Sequence, residues 1–178
     1  MATNRTLSPQ GTSFIVSLEG MRAQMYNDNV GHCTIGIGHL IHRGNCIFPI
    51  FGNNAPPSPE QRQHFALEAP FHQPLSQAAA VSLFRKDIAS VEDVVNSRVT
   101  AALDQPQFDA LVSFTFNVGT IWFASSTLIK RLNAGHYQDV PDEMKRWVKS
   151  TSNGIQIVNA VLVRRRGREA DLFENGRY

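Results

Sequence analysis

Two carboxylates, Glu19 and Asp28, flank an abrupt change in sequence pattern. Glu19 closes an apolar helical stretch, and Asp28 sits in the turn-rich run Asn27-Asp28-Asn29-Val30-Gly31. A helix end and a hairpin folded back on each other can set two such groups across a cleft. Glycoside hydrolysis requires that pair, one carboxyl to protonate the leaving oxygen and one to work on the opposite face. Desolvation beside Leu18 is expected to keep Glu19 protonated, and the polar neighbours of Asp28 to keep it ionised. The bland reading is a solvated Glu at a helix end and an Asx turn. A second group, His32, Cys33, His39, His42 and Cys46, has zinc-ligand residue types. It lacks any C-x-x-C or H-E-x-x-H spacing, so no metal is expected. A Cys33–Cys46 disulfide could form after export, but two ordinary thiols better suit a protein made in a cytoplasm. His39 reads as a hydrogen-bonded structural residue rather than a catalyst.

The elements that must position these groups follow from periodicity and caps. Ser8-Pro9 or Thr12-Ser13 starts a helix with Phe14, Ile15 and Leu18 on one face, and Gly20 can close it. Cys33–Gly38 alternates with period two and predicts a strand. Cys33, Ile35 and Ile37 point to a core, while Thr34, Gly36 and Gly38 make a face of little bulk that allows close approach to the backbone. Residues 43–74 hold Pro49, Pro56, Pro57, Pro59, Pro70 and Pro74 together with Phe48, Phe51, Phe65 and Phe71. Such a segment predicts a rigid, partly packed excursion with a short helix near Glu60–Leu67. Helices are expected over Leu75–Asn96, from Pro106 to Gly119, over Thr127–Asn133 after Ser126, from Pro141, and after Asn159. The fold class is therefore α+β, a small β-hairpin lobe followed by a mainly helical lobe joined by the long helix.

The chain has 178 residues, 42% of them hydrophobic and 18% charged. That is enough for one domain with a core and excludes a disordered tail protein. A net charge of +2 does not by itself imply nucleic acid. From Lys130 onward ten basic residues face six acidic ones, so the basic part is the C-terminal third. Its Arg164–Arg168 run reads as a solvated or ion-paired helix face. Phe108, Phe114 and Trp147 read as core. No apolar run approaches the roughly 18 residues of a membrane span.

The ordered motifs resemble the phage-type lysozymes, glycoside hydrolase family 24. Glu19-Gly20-Met21-Arg22, Tyr26-Asn27-Asp28, Gly31 and Thr34-Ile35-Gly36-Ile37-Gly38-His39 carry the first part. Gln107–Phe114, Phe116-Asn117-Val118-Gly119, Ser126-Thr127-Leu128, Leu132–Gly135, Arg146-Trp147, and Leu162–Arg166 with Glu169 carry the second. The match covers about 13–40 and 75–174. It departs in residues 43–74, which read as an insertion, and at Val161, where the family often has Gly.

The resemblance implies a two-lobed lysozyme fold over 1–178, with a hairpin lobe at about 13–74 and a helical lobe at about 75–178. It implies a muramidase that cuts the β-1,4 bond between N-acetylmuramic acid and N-acetylglucosamine. Glu19 would be the general acid, and Asp28 with Thr34 would handle water or charge opposite it. An inverting reaction would need carboxylates about 6.5–9.5 Å apart. Arg165 aligns best as the partner of Glu19, with Arg164, Arg166 and Arg168 as alternatives. Leu40, Phe116 and Thr127 would line the sugar cleft, with Asn117 close by and His39 in support. The other functional reading is a catalytically silent peptidoglycan-binding domain. The expected partner is the peptidoglycan glycan strand, met as a monomer, without nucleic acid, membrane insertion or cofactor. An immunity protein or wall partner could meet the insertion. The N-terminus lacks the layout of a secretory signal, so the expected route is cytoplasmic synthesis and release to the periplasm or wall by a holin or secretion system.

Overall fold

The computed structural model describes residues 4–28, 31–47, 58–152 and 155–178. The chain forms two compact units, one made of 1–18 with 88–178 and the other of 19–87.

The 19–87 unit is built on a three-stranded antiparallel sheet in the order β1 (Arg22–Asn27), β2 (Cys33–Gly36), β3 (His39–His42). Cys33, Ile35 and Ile37 are fully or almost fully buried, as their alternation predicts. The opposite face is not left open along its length. A Cβ on Gly36 would lie 3.6 Å from Leu75 and 3.7 Å from Ala80, so the chain itself makes the close approach there. Gly36 also has a φ of +66°, which ends the strand and turns the chain into β3.

The excursion contains α2 (Pro59–Glu68), with a 3-10 turn at Ala69–Phe71. Ser58 and Gln61 close a capping box, and Pro59 sits in the first turn. The helix packs against β3. The His64 ring stacks on His42 at 4.0 Å, and Phe71 lies 5.7 Å from His39. Phe48, Phe51, Pro49, Pro56 and Pro57 lie outside the described residues.

The expectation of two free thiols is corrected, because Cys33 and Cys46 form a disulfide. Backbone pairing explains it. Cys33 donates its N–H to the Gly44 carbonyl (2.9 Å) and Cys46 donates to Asn27 Oδ1 (2.7 Å), which folds the turn after β3 back onto β2. The two Cα atoms are 4.6 Å apart, within bridging range.

The other unit is helical. It contains α1 (Pro9–Glu19, all but its last residue), the second half of α3 (Gln77–Arg98), α4 (Gln105–Val118), α5 (Thr120–Ser125), α6 (Thr127–Asn133), α7 (Val140–Lys145) and α8 (Ala160–Asn175). Asp104 and Gln107 form a capping box on α4, Ser126 caps α6, and Asn159 caps α8. Phe108, Leu111 and Phe114 of α4 are fully or almost fully buried, at the centre of this core. A hairpin, β4 (Lys149–Ser152) with β5 (Ile155–Val158), precedes α8. Within the arginine run, Arg165 and Arg166 are buried and ion-paired, whereas Arg164 is exposed. Glu169, fully buried, accepts from Arg165 (2.9 Å), Arg166 and Ser113 (2.8 Å).

Candidate active site

Glu19, Asp28, Thr34 and Leu40 all belong to the 19–87 unit. Glu19 is half-buried at the end of α1, where Gly20 takes a φ of +76° and lets the chain enter β1. Asp28 follows β1 directly. Its backbone N–H donates to the His32 carbonyl (2.9 Å), and its Oδ1 accepts the His32 N–H (2.8 Å). Gly31 donates to the Asp28 carbonyl at 3.0 Å. The Asx-type turn and the positioned carboxylate are therefore one structure. The second carboxylate oxygen lies 3.8 Å from His32 Nδ1.

Strand register decides what faces Asp28. Tyr26 pairs with Thr34 across β1–β2, and Thr34 with Leu40 across β2–β3. Directly opposed residues share a sheet face, so Tyr26, Thr34 and Leu40 form one row. Thr34 is 4% exposed and Leu40 48%. The Thr34 hydroxyl donates to the His32 carbonyl (3.1 Å), which leaves its oxygen as an acceptor.

Tyr26 is a residue that spacing alone did not single out. Its phenol is pushed above the ordinary value of 10.0, first by burial. The Arg22 guanidinium, 4.7 Å from the ring centroid, opposes that shift. The Glu19 and Asp28 carboxylates both reinforce it, so one phenol senses both. The signal was present in the sequence as period-two spacing of Arg22 and Tyr26, but a bulge between them hid the register. His39 sits at the edge of this group, with Nδ1 2.9 Å from Asp87 Oδ2.

The remaining predicted residues belong to the helical unit. Arg165 is buried, with Nε on Glu169 (2.9 Å) and a terminal nitrogen on the Ser113 carbonyl (3.3 Å). Arg166 holds Glu169, Asn117 Oδ1 and the Trp147 carbonyl. Arg168 lies over the Phe14 ring at 4.8 Å and donates to Ser17. Asn117 and Thr127 line an open groove of about 850 Å³ together with Trp122, Trp147, Glu143 and Gln156. Phe116 is half-buried at the end of α4. Trp147, expected in the core, has both characters, edge-on to Phe114 at 5.9 Å and lining the groove. Trp122 is 63% exposed. Gln156 comes from the β4–β5 hairpin, whose sequence signal is Asn153-Gly154.

Known proteins resemble this chain over almost its full length. The chain is 31% identical over 171 residues to the endolysin of Acyrthosiphon pisum secondary endosymbiont phage 1, covering 95% of this chain and 98% of that protein. Among solved structures, the endolysin from Escherichia coli O157:H7 phage FAHEc1 superposes with a TM-score of 0.79 at 28% identity, over 100% of this chain and 99% of that one. The muramidase domain of SpmX from Asticaccaulis excentricus gives 0.74 at 30% identity, over 96% of this chain and 99% of that one. The sequence profile described as phage lysozyme matches residues 16–169, nearly the whole described fold, and the chain belongs to the phage lysozyme family.

Proposed function

We propose that this chain is a peptidoglycan-hydrolysing muramidase that cuts the β-1,4 bond between N-acetylmuramic acid and N-acetylglucosamine. Glu19 protonates the leaving oxygen as general acid. A water on the opposite face gives one hydrogen to the Thr34 oxygen and its reacting proton to Asp28, and it inverts the anomeric centre. The observation that carries this reading is the Tyr26–Thr34–Leu40 row beside Asp28, with Glu19 and Asp28 both acting on the Tyr26 phenol. Thr34 already donates to His32, so its free lone pairs suit it to hold a water rather than to supply a proton.

Leu40, Phe116, Asn117 and Thr127 contact the glycan strand, and Trp122 and Trp147 extend that surface. Arg165 is the proposed arginine partner of Glu19, and His39 steadies the end of β2–β3 through Asp87. The enzyme acts as a monomer at the wall or in the periplasm, after holin or secretion-system release, as a phage endolysin or an antibacterial effector. One observation supports action outside the cytoplasm, the Cys33–Cys46 disulfide, which suits an oxidising compartment. The excursion over 43–74 offers a surface for a wall or immunity partner.

Glu19→Gln tests the assignment. It is nearly isosteric but has no proton to give, so clearing of purified sacculi should fall by about 10²–10⁴-fold with an unchanged circular dichroism spectrum. A folded variant that clears sacculi at the parent rate removes Glu19 as the acid. Analysis of the initial product's anomeric configuration checks inversion.

A further inference from the structure

We infer that the reduced form of this protein binds one zinc ion through Cys33, Cys46, His42 and Glu68, at the place the disulfide closes in the oxidised form. Ligand atoms of Cys33, His42 and Glu68 lie within 4.8 Å of one another, and all three residues are buried. The Cys46 sulfur is bonded to that of Cys33, so reduction frees a second thiol directly beside the cluster. Two thiolates, an imidazole and a carboxylate are a tetrahedral set of the type zinc selects.

The orientation of His42 strengthens the case. Its Nδ1 lies 3.1 Å from the Arg43 carbonyl, which can only accept, so Nδ1 carries a hydrogen. Nε2 is thereby aimed at Glu68 Oε1, 2.7 Å away. Metal-binding histidines are fixed in this way, with one nitrogen donating to a carbonyl and the other presented to the ion. The carboxylate is oriented too, since Glu68 Oε1 accepts the Ile47 N–H at 2.7 Å. His64, stacked on His42, holds the ring plane. In the oxidised chain a shared proton lies between His42 and Glu68. A buried pair of that kind adds little net stability over apolar side chains of similar volume. As ligands to zinc the same groups contribute folding energy directly.

The chemistry balances. Two equivalents of a cytoplasmic thiol of the glutathione class reduce the disulfide, giving two cysteine thiols and one oxidised thiol pair. Zinc then displaces one proton from each thiol, and the proton shared by His42 and Glu68 leaves with them. The ligands come from β2, the end of β3, the turn after it and the end of α2, so zinc would pin the excursion to the sheet wherever the disulfide cannot form. This inference stands apart from the lytic reading, and failure of either leaves the other intact.

The test uses full-length chain made in a reducing cytoplasm, purified without oxygen and with its thiols counted. Chains that arrive oxidised are reduced with a phosphine. Cobalt(II) is added as a spectroscopic substitute for zinc. The expected result is one cobalt per chain with a thiolate charge-transfer band and the intense visible bands of a tetrahedral site, both abolished by one equivalent of zinc. Oxidised protein should give neither. Cys46→Ser should roughly halve the charge-transfer intensity, and His42→Gln and Glu68→Gln should each weaken binding by about 10–100-fold, the scale of lost metal-site interactions. Reduced, folded protein without these bands overturns the inference, as do bands indifferent to Cys46→Ser or to both His42→Gln and Glu68→Gln. If the reduced chain is unfolded without metal, refolding on zinc addition supports the site, and failure to refold overturns it.

Discussion

In the proposed reaction Asp28 and Thr34 divide one task, Thr34 holding a water and Asp28 taking its proton. Asp28 is tied to the His32 backbone through one oxygen, so Asp28→Asn keeps the turn while removing the base. Its loss should be large, about 10²-fold or more, whereas Thr34→Ala leaves Asp28 in place and should cost less. Sacculus-clearing rates of the two single variants and the double variant measure this, and silent single variants would remove the hairpin from the chemistry. Tyr26 supplies a readout independent of turnover. Its phenol is raised above 10.0 mainly by burial, with Arg22 opposing and Glu19 and Asp28 adding. Glu19→Gln and Asp28→Asn should each lower its alkaline midpoint, and Arg22→Gln should raise it. Phenolate absorbance, corrected with Tyr26→Phe, reports the shift, and an unmoved midpoint in Glu19→Gln would separate that carboxylate from Tyr26. The linkage has a definite sign. Tyr178 is raised as well, again chiefly by burial, so above pH 10 the folded chain holds protons that the unfolded chain has lost. The stability contributed by these two phenols is complete below pH 10 and declines as pH rises through their folded pKa values.

At the scale of elements, helix α1 is fixed to α4 by a glycine and a buried carboxylate. A Cβ on Gly11 would stand 2.5 Å from the Asp109 carboxyl group and 2.8 Å from Leu7. Asp109 cannot retreat, because it accepts hydrogen bonds from Ser8, Gln105 (2.8 Å) and Tyr178 (2.7 Å). Gly11→Ala should therefore destabilise by about 1–3 kcal/mol from overpacking, against a helix-propensity gain of at most about 1 kcal/mol. Thermal unfolding should show a Tm lower by several degrees, and an unchanged or higher Tm would mean that Asp109 moves. Nothing in the sequence marks that contact, since Gly11 in a helix reads only as a weak position. What could be read was local. Ser126 and Asn159 carry their caps in their own side chains, and Cys33, Ile35 and Ile37 carry their burial in their alternation. What could not be read depends on distant partners. Helix α3 begins at Gln77 rather than Leu75, whose N–H is taken by the Ala23 carbonyl at 2.8 Å. The disulfide depends on Gly44 and Asn27 as much as on its cysteines. Strand β5 is exposed at every position, so no burial alternation marks it. At the candidate site, the family motif points to Glu19, Asp28 and Thr34, while the place of Tyr26 in the row with Thr34 and Leu40 comes only from the register across the bulge.

At the scale of the molecule, charge is distributed unevenly. Ten basic residues face six acidic ones from Lys130 onward, whereas seven face nine before it. The buried members of the arginine run, Arg165 and Arg166, are committed to Glu169 and do not reach solvent. The field that reaches solvent comes instead from exposed positions such as Lys130, Arg164 and Lys149. Lys149 also lines the groove that holds Trp122 and Trp147. An anionic wall approached through such a surface is captured faster than a neutral substrate, and steering of this kind weakens as salt shortens the Debye length to about 8 Å at physiological ionic strength. The clearing rate on intact sacculi should therefore fall with added salt, while hydrolysis of short uncharged chitooligosaccharides, if they are accepted, should change little. Lys130→Glu combined with Arg164→Glu should slow sacculus clearing several-fold at low salt and converge with the parent at high salt, without altering the thermal transition appreciably. A variant slowed equally at every ionic strength would show that these side chains make short-range contacts. A parent enzyme insensitive to salt would show that wall capture depends on the groove and its aromatic residues rather than on the basic surface.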